Sequence, residues 1–324
     1  MATCHQICIR KFAARTTTPL NWVLGGKLTD VPDIQEVALG ELPESVLAPI
    51  VNDIAKYSVL IYALDPSSHS DPNLRQLGSG TLVECCGMRG ILTAHHVVHR
   101  TSPAVDWSLN SNDEILLTLD TSGATLRIPA HCLHETVIAI PISDAHGPDL
   151  TFLEIPKGEK LSELLARKSF WKIDFQSEER IASCLNEFGI FVTIGQPNEL
   201  ECLTRIDAKT IRLDVILRGY AGPVRSDRVF ERGEYDFVDT VVRYDGKDTM
   251  PKSFGGISGG GLWKVDLEYS KQDGKWVHTR PVLCGLAFYE TERDGSGRVL
   301  RCHFVKSIYG KTKDSLKGAA SVPT

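Results

Sequence analysis

The chain has 324 residues, enough for one large domain or two ordinary ones around a real core. Its net charge of −5 argues against a nucleic-acid binder, because phosphate recognition needs clustered Lys and Arg. No stretch is long and apolar enough to span a membrane as a helix.

Residues 1–43 show little periodicity and read as an arm. The arm begins without the uninterrupted apolar core of a secretory signal, so the expected compartment is the cytoplasm. From Glu44 to Ala55, Val46, Leu47, Ile50, Val51 and Ile54 recur at helical spacing, which predicts a short helix. The texture then turns to β. Ser58–Leu64 is an apolar run, and a Pro- and Ser-rich loop follows over Asp65–Arg75. Gln76–Cys85 and Arg89–Thr93 read as strands joined by a turn at Gly87. Glu114–Asp120, Thr125–Pro129, Glu135–Ile142 and Leu150–Ile155 continue the series. Between Lys157 and Glu187, helical spacing of Leu161, Leu164 and Leu165 and an N-cap signal at Ser177 predict a helical connector. Strands resume at Ile190–Ile194, Leu200–Thr204, Lys209–Leu217 and Asp236–Tyr244. The arginines 218, 225, 228 and 232 are interleaved with acidic residues and read as a solvated loop or a substrate rim. Trp263, Val265, Leu267 and Tyr269 alternate with Lys264, Asp266 and Glu268, the pattern of a half-buried strand. A turn at Asp273-Gly274 returns it as a hairpin, and Val282–Tyr289 is apolar throughout, as in a buried strand. Short strands in succession predict an all-β architecture. The nine cysteines are odd in number and irregularly spaced, which fits buried free thiols better than a disulfide framework.

Three segments carry chemistry. In Gly255-Gly256-Ile257-Ser258-Gly259-Gly260-Gly261, five glycines surround one serine. Glycine lets backbone N–H groups converge on an oxygen that becomes negative during acyl transfer. Thr93-Ala94-His95-His96-Val97 ends an apolar strand in a turn bearing histidine, and Asp149 stands at the mouth of Leu150–Ile155. A serine hydroxyl needs an imidazole base, and the base needs a carboxylate to hold its tautomer. The parts come in the order His, Asp, Ser.

These motifs resemble those of the trypsin-like (chymotrypsin-fold) serine peptidases over about residues 57 to 310. Thr93-Ala94-His95-His96 resembles the family's Thr/Ser-Ala-Ala-His and aligns His96, not His95, with the base. Asp149-Leu150 is similar to its Asp-Leu/Ile, and Gly256-Ile257-Ser258-Gly259-Gly260 to its Gly-Asp/Asn-Ser-Gly-Gly. The resemblance implies two packed six-stranded antiparallel β-barrels. An arm and short helix (1–56) would precede the first barrel (57–156). A helical connector (157–188), the second barrel (189–310) and a tail (311–324) would follow. It implies a serine endopeptidase with His96, Asp149 and Ser258 as catalytic residues and the N–H groups of Gly256 and Ser258 as oxyanion hole. No metal or other cofactor is implied, and the partner is a protein or peptide substrate. Gly285–Tyr289 matches the strand lining the substrate cleft. That puts Phe288 and Tyr289 there, with Glu290 just beyond, and Lys252, six before the nucleophile, at the base of the primary pocket. Ile257 replaces the Asp that pairs with a cut N-terminus in zymogen-activated members, so such activation is not expected.

Other readings compete. Gly256-x-Ser258-x-Gly260 also fits a nucleophile elbow, with His303 as a late histidine, but βα alternation is lacking. His131-Cys132-x-His134 and Cys302-His303 lack paired metal-ligand spacing. A catalytically silent relative used as a binding module is the main alternative.

Overall fold

The computed structural model describes residues 6–8, 44–65, 73–102, 105–108, 113–119, 124–141, 147–174, 176, 178–179, 181, 189–200, 202–205, 210–214, 218–222, 228–242, 253–270, 275–294 and 297–320. The chain is mostly β, in two large antiparallel sheets with few helices.

Helix α1 spans Glu44–Ala55 as its periodicity predicts, and buries Val46, Ile50, Val51 and Ile54. The first sheet is built from β1 (Ser58–Asp65), β2 (Asn73–Cys85), β3 (Met88–Thr93), β4 (Glu114–Thr118), β5 (Thr125–Pro129), β6 (His134–Ala139) and β7 (Leu150–Glu154). Their order is β5-β4-β1-β2-β3-β7-β6, with Trp171–Lys172 added in parallel beside β2 as an eighth strand. The β2–β3 hairpin turns through Cys86 (φ 53°) and Gly87 (φ 77°). Two successive positive φ values match the right-handed strand twist in a tight hairpin. Leu82 and Ile91 pack on one face with Val59, Ile61, Leu117 and Leu153. Their neighbours Val83 and Leu92 face α1 and the second sheet. Both faces are buried, which is why these strands read as nearly continuous apolar runs.

The second sheet comprises β8 (Gly189–Gly195), β9 (Arg218–Gly222), β10 (Val229–Arg232), β11 (Tyr235–Val242), β12 (Gly261–Ser270), β13 (Val282–Asp294) and β14 (Gly297–His303). Their order is β9-β8-β12-β13-β14-β11-β10, with Lys275–His278 paired to β12 as an eighth strand. Gln6–Cys8, at the start of the arm, pairs in parallel with Thr210–Asp214 in a separate three-stranded sheet that also holds Cys202–Arg205.

The structure corrects several sequence expectations. Each main sheet has eight strands, not six. The arginine-rich stretch is not a loop over its described length. It supplies β9 and β10, which lie at the two ends of the second sheet, where charged side chains are tolerated and mask the strand signal. β12 is not half-buried at Lys264, which is 1% exposed and reaches Asp266 at 2.8 Å. The predicted connector is helical over Glu159–Leu165 but also carries the short strand Trp171–Lys172. Glu178, Glu179 and Ile181 are also helical, whereas Ser177 and 182–188 lie outside the described residues. The Asp273-Gly274 turn lies outside them too.

The tail is helical: a π-turn over Lys306–Lys311 runs into a helix over Thr312–Ala320. Asp236 anchors its start, accepting from the backbone N–H groups of Lys306 and Ser307 at 2.9 and 2.7 Å. Gly310 and Gly318 weaken the local helix signal, so burial of Ile308, Tyr309 and Leu316 stabilises it instead.

Candidate active site

β3 delivers the histidine turn. Its hydrogen bonds to β2 and β7 hold Thr93 opposite Thr151, and the chain then makes one short helical turn over His95–Val98. Val97 and Val98 are buried and fix the turn, leaving His95 and His96 half-buried. Asp149 lies at the start of β7, 2% exposed. His96 Nδ1 and Asp149 Oδ2 are 2.5 Å apart, and the His96 backbone N–H donates to Asp149 Oδ1 at 3.0 Å. This two-point grip fixes both the ring and its peptide. It also separates the two histidines: His96, not His95, meets the aspartate. Burial pushes the Asp149 carboxyl up, but the hydrogen bonds and charge of His96 outweigh it and hold the group below the usual carboxylate range.

Behind Asp149 stands His303 at the end of β14, fully buried. Its Nε2 lies 3.0 Å from the Asp149 backbone nitrogen and 3.1 Å from the Asp149 carbonyl oxygen. Its ring packs on Phe288 and Phe237, with centroids 4.7 and 5.1 Å apart. Burial lowers its pKa to about 4, so the ring is neutral at pH 7.

Ser258 sits in a turn cut from the glycine-rich segment. Every carbonyl from Gly255 to Gly260 accepts a hydrogen bond. Asn198 N–H donates to Gly255, Gly260 N–H to Ile257, Ser79 N–H to Ser258 and Ala287 N–H to Gly260, at 2.7 to 2.9 Å. The hydroxyls of Ser79 and Thr81 donate to Gly256 and Gly259 at 2.8 and 3.2 Å. Among the described residues, the N–H groups of Gly256 and Ser258 meet no protein acceptor, whereas those of Ile257, Gly259 and Gly260 do. Gly256 (φ +96°) and Gly259 (φ +88°) take backbone conformations that other residues resist.

β2 joins the two halves. A Cβ on Gly78 would come within 2.7 Å of Val97 Cγ2 and 2.8 Å of the Ser258 carbonyl oxygen. Gly78 is therefore the spacer between the histidine turn and the serine turn. The Ser258 hydroxyl donates to the Phe288 carbonyl at 3.4 Å, and among the described residues it shares no hydrogen bond with His96.

The other expected site residues divide. Phe288 presents its backbone to Ser258, while its ring is buried against His303 and Phe237. Tyr289 is half-buried beside it. Glu290 grips the serine loop, accepting from the Ser253 hydroxyl at 3.0 Å and the Phe254 N–H at 2.9 Å. Lys252 lies outside the described residues. Sequence reasoning missed Ser79, Thr81 and Asn198 as supports. For Ser79 and Thr81 the signal was the small-residue run Gly78-Ser79-Gly80-Thr81, which marks a close backbone approach without saying to what. No protein-family model and no curated protein matches this sequence.

Proposed function

We propose that the chain is a serine endopeptidase of the trypsin-like kind, its two sheets corresponding to the two barrels of that fold. The observation that carries this is the Ser258 turn, in which the carbonyls from Gly255 to Gly260 are engaged while the N–H groups of Gly256 and Ser258 meet no acceptor among the described residues, together with an imidazole held by a buried carboxylate. That donor arrangement suits the oxygen that becomes negative when a carbonyl carbon is attacked.

In the reaction the Ser258 hydroxyl swings from the Phe288 carbonyl toward His96. His96 Nε2 takes its proton as Oγ attacks the scissile carbonyl carbon. Asp149 stabilises the resulting imidazolium through Nδ1, and the N–H groups of Gly256 and Ser258 hold the oxyanion. Collapse breaks the C–N bond, and the leaving amine takes the proton from His96. Water, deprotonated by the same base, then hydrolyses the acyl-enzyme and restores Ser258.

The test is labelling with a fluorophosphonate, which phosphonylates an activated serine. The intact chain is expected to label stoichiometrically, and Ser258→Ala and His96→Ala to lose labelling. An intact chain that stays unlabelled sinks the peptidase reading and leaves a silent binding module.

A further inference from the structure

The histidine turn also contributes to a second cluster, which does not include Asp149. His95 opens the helical turn and His99 follows its end in extended backbone, and their rings lie against each other with centroids 4.7 Å apart. Glu135 on β6 faces them. One ligand atom from each of His95, His99 and Glu135 lies within 4.8 Å of the others. Glu135 Oε2 is 2.6 Å from His99 Nε2, and its other oxygen accepts from the Thr151 hydroxyl at 2.8 Å. Two imidazoles and a carboxylate are the donor set of zinc sites that keep a coordination position open. A hydroxyl orienting the carboxylate is the outer support such sites use. Tetrahedral zinc holds its ligand atoms about 3.4 Å apart, so small side-chain rotations close the cluster on an ion. The three residues are partly exposed, which leaves the ion a way in.

We propose that His95, His99 and Glu135 bind a zinc-class divalent cation, and that filling this site restrains the triad. The restraint rests on the peptidase reading. His96 lies on the same four-residue turn and shares no hydrogen bond with Ser258 here, so acylation needs the two groups to adjust. An ion tying His95 and His99 to β6 resists that adjustment.

Binding is read first, on the metal-free full chain, by Co²⁺ ligand-field absorption and by zinc calorimetry. One equivalent is expected to bind. His99→Ala and Glu135→Gln, each checked for an unchanged thermal midpoint, are expected to weaken binding at least about tenfold. His134→Ala, a neighbouring exposed histidine that contacts Glu154 instead, leaves it unchanged. No binding, or equal affinity in both ligand variants, overturns the site. Fluorophosphonate labelling is then repeated with zinc. Slower labelling of the natural chain and not of Glu135→Gln supports the restraint. Binding without slowing overturns the restraint alone. A metal-free chain that never labels sinks the peptidase reading while the binding result stands.

Discussion

Asp149 is the residue on which the candidate triad turns, because it binds both the ring and the backbone of His96. Asp149→Asn keeps the shape but can stabilise neither the imidazolium nor the correct tautomer. Its fluorophosphonate labelling rate is expected to fall on the order of 10⁴-fold, measured under pseudo-first-order conditions. The same carboxyl is held below its ordinary range in the fold. Its stabilisation is therefore present above the unfolded value of about 4 and is lost as pH falls through the lower folded value. His303 acts in the same direction over a higher window. Its folded pKa is about 4, against about 6.5 for an unfolded histidine. A depressed histidine leaves the unfolded state holding more protons, so its stability is full above about 6.5 and falls as the pH drops toward 4. Thermal unfolding between pH 7 and pH 5 is expected to show a falling midpoint, and His303→Gln to flatten that slope. A slope unchanged in the variant assigns it to other groups.

Among the elements, β2 does the most to position chemistry. It spans the first sheet and also donates to the serine turn through Ser79 and Thr81. Gly78 makes the approach possible. A methyl group there meets Val97 and the Ser258 carbonyl at under 3 Å, so Gly78→Ala must push one turn from the other. The expected result is a labelling rate down at least about tenfold, since misplacement of about 1 Å costs roughly a hundredfold. Unfolding stability should fall by about 1–3 kcal/mol, read by chemical denaturation. A variant that labels at the natural rate removes β2 as the spacer.

At the scale of the whole molecule, the C-terminal helix fastens the parts together. Tyr309 accepts from Trp171 Nε1 at 2.9 Å and donates to the Leu283 carbonyl at 2.6 Å. Trp171 belongs to the segment added to the first sheet, and Leu283 lies in β13 of the second. One buried hydroxyl thus bridges both sheets from a third element. Tyr309→Phe orphans a buried N–H and a carbonyl, at an expected cost of about 1–3 kcal/mol. Denaturant unfolding measures it, and a loss near zero would show that the bridge contributes nothing net.

Local pattern was enough for much of this protein. Short apolar stretches bounded by turn residues marked β1, β3, β5 and β7 within a residue or two, helical spacing marked α1, and glycines and a lone serine marked the turn at 258. These features arise from short-range sterics and from which face is buried, and neighbouring residues carry both. The tail helix and the edge strands β9 and β10 escaped notice because glycines and charges hide their periods, and distant packing compensates. The Thr93-Ala94-His95-His96 motif already pointed to His96, and the fold sets that residue on Asp149; tertiary structure alone decided that His303 cradles the Asp149 backbone and that Lys264 is buried. Those facts depend on contacts between residues up to 154 apart, which no local period encodes.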